Sequence, residues 1–368
     1  MSSALNWVLV VFGFCLLVIL HEAGHFFAAK ATGMRVERFF LFLGPKLVSM
    51  KRGETEYGIA AIPIGGYVKI TGMNPEEELP PEVAARGYYR QPVWKRIVVI
   101  GAGPAVNIVL AFAILFVLAF SANEPTTKIE SVVPKSPAAA VGLKPGDRVV
   151  AIDGKSYPDL DATARLEHFS KAIAEHHCVA GATDKGCRAT TPVKLEVNRA
   201  GNTRVIEVYP TYDPSIKQAR IGFKYGEEPM HLNASGAVSH ASGQIWEVTS
   251  GTFHVFSHIF ESEQRKQVSG VVGVGDVAHQ VVGFSASAAL GLLALVSLSL
   301  GLINLLPILP LDGGHIFWSL VEKLRGAPVS MRVIERATVL GFLLVAALMF
   351  VGLSNDIGRL TGEGFNVR

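Results

Sequence analysis

The sequence predicts a polytopic α-helical membrane protein with about four spans, a β-rich segment between the first two, and one folded domain inserted between the second and third. The 368 residues are 49% hydrophobic and only 18% charged. A mean hydropathy of +0.35 is typical of a chain with several membrane spans and a water-exposed part. Long apolar runs recur four times, and basic residues concentrate in two of the connecting loops.

The four apolar runs are long enough to cross a bilayer, since spans of about 17–25 residues match a hydrocarbon core of about 30 Å. We expect the spans, with their flanking motifs, at residues 1–30, 97–120, 286–314 and 337–353. No basic region precedes the first run, and no small-residue cleavage site lies before the histidines. We therefore expect a helix that stays in the membrane and not a signal peptide that is removed.

Loop charge predicts the orientation. The loop over residues 31–96 and the short loop before the fourth span are rich in Lys and Arg, so the positive-inside rule places both in the cytoplasm. Both termini and the long stretch between the second and third spans then lie outside.

Residues 44–73, within the loop 31–96, predict a small hairpin-like sheet rather than a helix, because short β-prone pieces are broken by glycines and a proline. The sheet is apolar enough to enter the bilayer beside other protein. An ordinary cytosolic hairpin is the alternative interpretation.

Residues 126–225 predict a compact outer domain, with a hairpin around Gly201, followed by a linker with helices over 226–285. Cys178 and Cys187 lie in one polar segment of this domain and can pair if the segment is extracytoplasmic. The net charge of +3, without a basic run carrying aromatic residues, argues against nucleic-acid binding.

The first span ends in HEAGH. His21 and His25 are four residues apart and therefore share one helix face, with Glu22 beside them. Two imidazoles and a carboxylate are what a zinc hydrolase needs as two ligands and a general base. Ionisable groups inside a membrane helix usually mark a functional site. The alternative is a solvated helix end just past the bilayer.

Zinc requires a third protein ligand, and Asp312 is the candidate. His21 lies about 21 Å along the first helix from Trp7, toward the cytoplasmic face. The third span runs in the same direction and brings Asp312 to a similar depth. A helix-ending Asp–Gly turn is the alternative for Asp312, and His315 is the weaker ligand candidate.

Two asparagines in the apolar runs allow two interpretations each. Asn304 can hydrogen-bond a developing oxyanion or a substrate carbonyl, or it can hold helices together. For Asn107 the packing interpretation is favoured.

Together, HEAGH, GPAVN and LDGG resemble the motifs of the site-2 protease family of intramembrane zinc metalloproteases, in the bacterial branch typified by the regulator of sigma-E protease. GIAAIPIGGYVKITGM is similar to the membrane-associated β-loop of that branch, and GLKPGDRVVAIDGK looks like the core of a PDZ domain. The resemblance covers nearly the whole chain.

The resemblance implies a multi-pass protein of the bacterial inner membrane that binds Zn²⁺ through His21, His25 and Asp312 and uses Glu22 as base. Its substrates would be single-span membrane proteins such as anti-sigma factors, cut after an earlier extracytoplasmic cleavage. The β-loop and Asn304 would hold the unwound substrate, the PDZ domain would contact peptides or ectodomains, and the lipid bilayer would surround the spans. The β-loop residues concerned are Ile64, Gly65, Gly66 and Tyr67.

The chain departs from the best-known members of this branch, which carry two tandem PDZ domains, because its sequence shows one. Two further hypotheses compete with the protease: a membrane metal transporter that uses the same ligands, and a catalytically inactive scaffold that presents the PDZ-like domain.

Overall fold

The computed structural model describes residues 3–74, 77–178, 186–213, 218–258, 261 and 268–361. The side chains of Pro63, Ile64 and Val271 lie outside the described part. The chain divides into two compact units, one formed by Met1–Leu118 with Ala234–Arg368 and the other by Ala119–Asn233.

Helices dominate the first unit. The helices, in chain order, are α1 (Ser3–Ala31), α2 (Pro81–Ala84), α3 (Val93–Ala119), α4 (Pro137–Ala140), α5 (Ala162–Ala174), α6 (Ala234–Ser257), α7 (Val271–Phe284), α8 (Ala286–Asn304), α9 (Asp312–Arg325) and α10 (Met331–Thr361). A short 3₁₀ helix covers Tyr88–Arg90.

The strands are β1 (Val36–Arg52), β2 (Thr55–Ile70), β3 (Asn123–Val132), β4 (Arg148–Ile152), β5 (Val193–Arg199), β6 (Asn202–Val208), β7 (Thr211–Asp213), β8 (Gln218–Arg220) and β9 (Phe223–Pro229).

Four helices, α1, α3, α8 and α10, are long and apolar enough to cross a membrane, which confirms the predicted polytopic architecture. Their exposed faces carry large apolar side chains, such as Phe12 on α1 and Phe342 on α10. Such faces are stable against lipid, because lipid tails are as apolar as the side chains. The second and fourth helices begin four and six residues before the predicted runs.

Strands β1 and β2 are antiparallel, and each is bent into two segments. Across the sheet the four segments lie side by side in the order 46–52, 55–60, 36–41 and 66–70. Phe42 and Gly44, both with positive φ, bend β1, and Gly65, with φ of 66°, bends β2. The segment 36–41 therefore pairs on both sides, whereas 66–70 is an edge segment of this sheet as far as the structure describes it. The predicted small sheet is present, with more segments than a simple hairpin.

A buried apolar cluster holds this sheet against α1 and α3. It includes Phe26 and Ala29 of α1, Val36 of β1, Ile70 of β2 and Val99 of α3. Burial of each large side chain contributes about 1.5–3 kcal/mol. The sheet is thereby fixed next to HEAGH, beside the half of α1 that the sequence predicts to lie toward the cytoplasm.

The second unit is a five-stranded antiparallel sheet in the order β6-β5-β4-β3-β9, with α4 and α5. Its core includes Ile129, Ile152, Phe169 and Leu195, each at most 1% exposed. The β5–β6 turn places Ala200 and Gly201 at positive φ, as a two-residue hairpin turn requires. The unit covers the range in which the sequence predicts the outer domain.

Candidate active site

HEAGH lies within α1, and six further residues follow it before the helix ends. His21 and His25 are buried, and their rings meet edge to face with centroids 4.9 Å apart. Glu22 is half-buried on the same turn. The helix therefore presents two imidazoles and a carboxylate to one protein-lined space, as the spacing predicts.

Three donor atoms from two helices converge at this space. His21 Nε2 and His25 Nε2 are 3.3 Å apart, and Asp312 Oδ2 lies 3.2 Å from the first and 3.4 Å from the second. A tetrahedral zinc with bonds of about 2.0–2.1 Å to its ligands separates those ligands by about 3.3 Å. In the described residues this is the single His, Cys, Asp and Glu cluster with metal-binding spacing. The donor set fits zinc and leaves a fourth position open.

Asp312 reaches the site from a position that differs from the sequence-based one. The prediction ran the third span to residue 314, but α8 ends at Asn304 and Asp312 is the first residue of α9. Pro307 and Pro310 lie between the two helices and cannot continue a helical hydrogen-bond ladder. The turn redirects the chain, so Asp312 points at α1 from the start of a new helix and not from the end of the third span or a helix-ending turn.

Helix α3 holds the second ring nitrogens of both histidines. His25 Nδ1 lies 2.9 Å from the main-chain oxygen of Val99, and His21 Nδ1 lies 3.4 Å from Asn107 Nδ2. Ligating histidines in metalloproteins ordinarily donate their other N–H to an acceptor such as the Val99 oxygen, which fixes the ring. The packing interpretation favoured for Asn107 therefore misses a contact with the site.

The close approach of α1 and α3 depends on glycine. A Cβ at Gly24 would lie 2.5 Å from the Ala102 oxygen, and a Cβ at Gly103 would overlap His25 Nε2. The absence of these two β-carbons lets the helices touch and leaves room for the His25 ring.

The edge segment of β2 borders Glu22. The main-chain N–H of Val68 lies close enough to the Glu22 carboxylate to interact with it, and a Cβ on Gly66 would be 3.0 Å from Glu22 Cγ. Tyr67 between them stacks on Phe40, with ring centroids 5.5 Å apart. The sheet thus reaches the carboxylate itself, which the sequence did not indicate.

The remaining predicted residues fall into three groups. Asn304 donates through Nδ2 to the Leu300 oxygen of its own helix, 3.0 Å away, and its predicted contact with substrate stays a prediction. Gly65 lies at the β2 bend, while the side chain of Ile64 is outside the described part of the chain. His315 is not part of the three-residue cluster.

In the second unit, Cys178 and Cys187 are joined in a disulfide. This is the pair that the sequence leaves possible for an extracytoplasmic segment. Among the described residues Cys15, in α1, is the free cysteine. No cysteine is a donor in the metal-binding cluster described above.

Two imidazoles and a carboxylate spaced for zinc, with a further carboxylate beside the imidazoles on a helix long and apolar enough to cross a membrane, are the features of a membrane-embedded zinc metalloprotease. The comparisons with known proteins agree. The chain belongs to peptidase family M50, whose model matches residues 9–348.

Similar proteins match the chain over nearly its full length. A candidate zinc metalloprotease of Clostridium perfringens is 31% identical over 353 residues, which cover 95% of this chain and 98% of the relative. The zinc metalloprotease Rip1 of Mycobacterium tuberculosis is 30% identical over 397 residues, covering 95% and 96%. A candidate zinc metalloprotease of Rhizobium meliloti is 29% identical over 372 residues, covering 94% and 95%. The chain is thus a zinc metalloprotease and a multi-pass membrane protein.

Proposed function

We propose that this protease cuts the membrane-spanning helix of single-span regulatory proteins, such as anti-sigma factors, after another protease has shortened their outer part. The observation that carries the proposal is the three-atom donor cluster in the membrane-spanning unit, with Glu22 and an edge strand beside it. A site inside the membrane suits a peptide bond inside the membrane.

In this proposal His21, His25 and Asp312 hold the zinc, and Glu22 is the general base. Zinc, when bound, acidifies water and polarises a carbonyl. The Glu22 carboxylate accepts a proton from the attacking water and returns it to the amine that leaves. The main chain of Val68 borders the carboxylate, and in this proposal Asn304 supports the substrate carbonyl.

A transmembrane helix hides its carbonyls in hydrogen bonds, so it must unwind before its peptide bond can be attacked. The segment 66–70 is an edge of the described sheet and borders Glu22, so an extended stretch of substrate can pair with it as an added strand. This pairing would bring the scissile bond to the carboxylate and would replace the hydrogen bonds that the helix loses.

We propose that an apolar substrate reaches the site through a cavity in the same unit. A cavity of about 1730 Å³ lies between α1, α7, α8 and α10, and its lining is almost entirely apolar. The lining includes Leu17 of α1, one turn before His21, and Leu311, which adjoins Asp312. A membrane helix is the ligand class that such a surface suits.

We further propose that the second unit is a PDZ-like domain outside the cytoplasmic membrane, with both termini on the same side and the metal site toward the cytoplasm. The antiparallel sheet with two short helices supports the domain assignment, and the basic loops support the orientation. Cysteines placed singly in the second unit and in residues 323–336, labelled in intact cells with a membrane-impermeant reagent, test the orientation. Labelling of the 323–336 loop would contradict it.

The first test of function compares the zinc-loaded wild type with Glu22→Gln in detergent, using a panel of single-span membrane proteins. We expect the wild type to release fragments cut within the membrane segment, and Glu22→Gln to retain zinc without releasing them. A metal transporter would tolerate the Glu22 change. Fragments that form equally with both proteins, or with neither, would overturn the proposal.

The second test locates the substrate by cross-linking. The background for this test is a Glu22→Gln, Cys15→Ser chain. Tyr67→Cys puts a cysteine on the segment beside Glu22, and Val48→Cys puts one on the opposite edge of the same sheet as a matched control. A cysteine in the substrate near its cleavage site should cross-link to position 67 and not to position 48. Equal cross-linking would rule out strand pairing at 66–70.

A further inference from the structure

The two histidines of the donor cluster are held in different ways at their second ring nitrogen. The partner of His25 Nδ1 is a main-chain oxygen, that of Val99, at 2.9 Å. The partner of His21 Nδ1 is a side-chain amide, that of Asn107, at 3.4 Å. A main-chain oxygen can only accept, whereas an amide presents either a donor or an acceptor.

A neutral imidazole that gives Nε2 to a metal carries its proton on Nδ1. That Nδ1–H is a donor and requires an acceptor, since a buried polar group left unpaired destabilises the folded state. For His21 the facing residue is Asn107, and Asn107 Oδ1 is a buried oxygen without a hydrogen-bond partner in the structure. A half-turn of the amide exchanges its oxygen and nitrogen and brings Oδ1 opposite His21 Nδ1.

The rest of Asn107 is fixed in place. Its residue surface is fully buried, and its main-chain oxygen accepts a hydrogen bond of 2.9 Å from Ser297 Oγ of α8. Gly301, one turn further along α8, lets α8 approach α3 closely at this point, because a Cβ there would lie 3.0 Å from the Pro104 oxygen and 3.1 Å from Ile108 Cγ1. The amide is therefore carried on a rigid contact between α3 and α8, at a set distance from α1.

We propose that Asn107 is a positioning residue for the metal site: its Oδ1 accepts a hydrogen bond from the Nδ1–H of His21 and thereby directs Nε2 of His21 to the zinc. The inference rests on the proposed ligand role of His21. Asn107 does not touch substrate or metal, and it acts through the orientation and tautomer of one ligand. Removal of such an outer partner ordinarily lowers metal affinity by about 10–100-fold.

The experiment measures zinc retention by the full-length chain in detergent, by competition with a chelator, and the absorption spectrum of the Co²⁺-loaded protein. Asn107→Leu keeps the size of the side chain and removes the acceptor. Asn107→Asp keeps an acceptor at the same place. Ser297→Ala removes the neighbouring hydroxyl contact and leaves the amide intact.

We expect Asn107→Leu to bind zinc about 10–100-fold more weakly and to shift the Co²⁺ spectrum, with Asn107→Asp and Ser297→Ala within a few-fold of the wild type. If Asn107→Leu does not fold, Asn107→Ala takes its place in the comparison with Asn107→Asp. Wild-type affinity in the variant without an acceptor would overturn the inference, and so would an Asn107→Asp loss as large as that of Asn107→Leu.

His21→Ala separates this inference from the proposed function. If His21→Ala loses zinc while Asn107→Leu does not, the ligand assignment stands and only the role of Asn107 fails. If His21→Ala binds zinc like the wild type, the ligand assignment itself fails.

Discussion

Gly103 supports the sharpest prediction about the metal site, since it is the point at which α3 faces the metal-directed side of His25. A Cβ built on Gly103 would overlap His25 Nε2 and would lie 2.6 Å from His25 Cε1. Ordinary carbon contacts begin at 3.4 Å, so the ring must withdraw by about 0.8 Å. Withdrawal from α3 also stretches the 2.9 Å bond between His25 Nδ1 and Val99 O.

Gly103→Ala should therefore open the 3.2–3.4 Å spacing of the donor atoms and break the outer hydrogen bond of His25 at once. Loss of an outer partner alone weakens metal binding by about 10–100-fold. A displacement near 1 Å costs roughly 100-fold in rate. We expect zinc affinity and cleavage to fall by at least these factors.

Gly101→Ala is the matched control, because it makes the same change two residues earlier on the same helix. Its Cβ would meet nothing closer than Ile316 Cδ1 at 3.8 Å, an ordinary contact. Zinc affinity by chelator competition and fragment release should stay within about twofold of the wild type. Equal behaviour of Gly101→Ala and Gly103→Ala would refute the steric reasoning.

Three further predictions concern other parts of the fold. The Arg96 guanidinium is 3% exposed and donates two hydrogen bonds, of 2.7 and 2.9 Å, to Glu322. Glu322→Leu removes this partner, so thermal unfolding should show a free energy of unfolding lower by about 3–5 kcal/mol, and Glu322→Gln should show a smaller loss. Asp356→Ala removes the buried carboxylate that accepts the main-chain N–H groups of residues 270 and 273, so amide exchange at the start of α7 should accelerate while exchange in the second unit stays unchanged. The Arg199 guanidinium holds the pKa of Asp147 below its usual range, so this pair stabilises the folded state at neutral pH and loses that effect as pH falls below about 4. Amide exchange in β4 and β5 should be several-fold faster in Asp147→Asn than in wild type at pH 7, and a difference that persists unchanged at pH 3 would contradict the assignment.

The spacing of HEAGH and the direction of the spans were sufficient to predict that His21 and His25 share a helix face and that Asp312 lies at a similar depth. A four-residue interval fixes a helix face, and two spans that run in the same direction place their inner ends at one depth. These are properties of regular helices, which a sequence encodes directly. The spans and the β-rich segment followed from hydropathy and glycine placement in the same way.

The contributions of α3 and β2 were harder to predict. Helix α3 is apolar on every side, so no periodic pattern tells which face meets α1, and Val99 acts through a main-chain atom that has no sequence signature. The bend in β1 occurs at Phe42, a residue type that seldom adopts positive φ. Such features depend on packing between distant segments. The polar side chain of Asn107 in an apolar helix was the one available signal.

The donor cluster unites the first and ninth helices, and this has a consequence for biosynthesis. Asp312 is translated about 290 residues after His21, which at 5–20 residues per second means a delay of roughly 15 to 60 s. During that interval α1 and α3 already occupy the bilayer with two histidines and Glu22, but with an incomplete ligand set. In the proposed mechanism, which needs all three donors, a nascent chain is therefore unable to cut a peptide bond before Asp312 has been inserted, and a chain truncated before Asp312 stays inert.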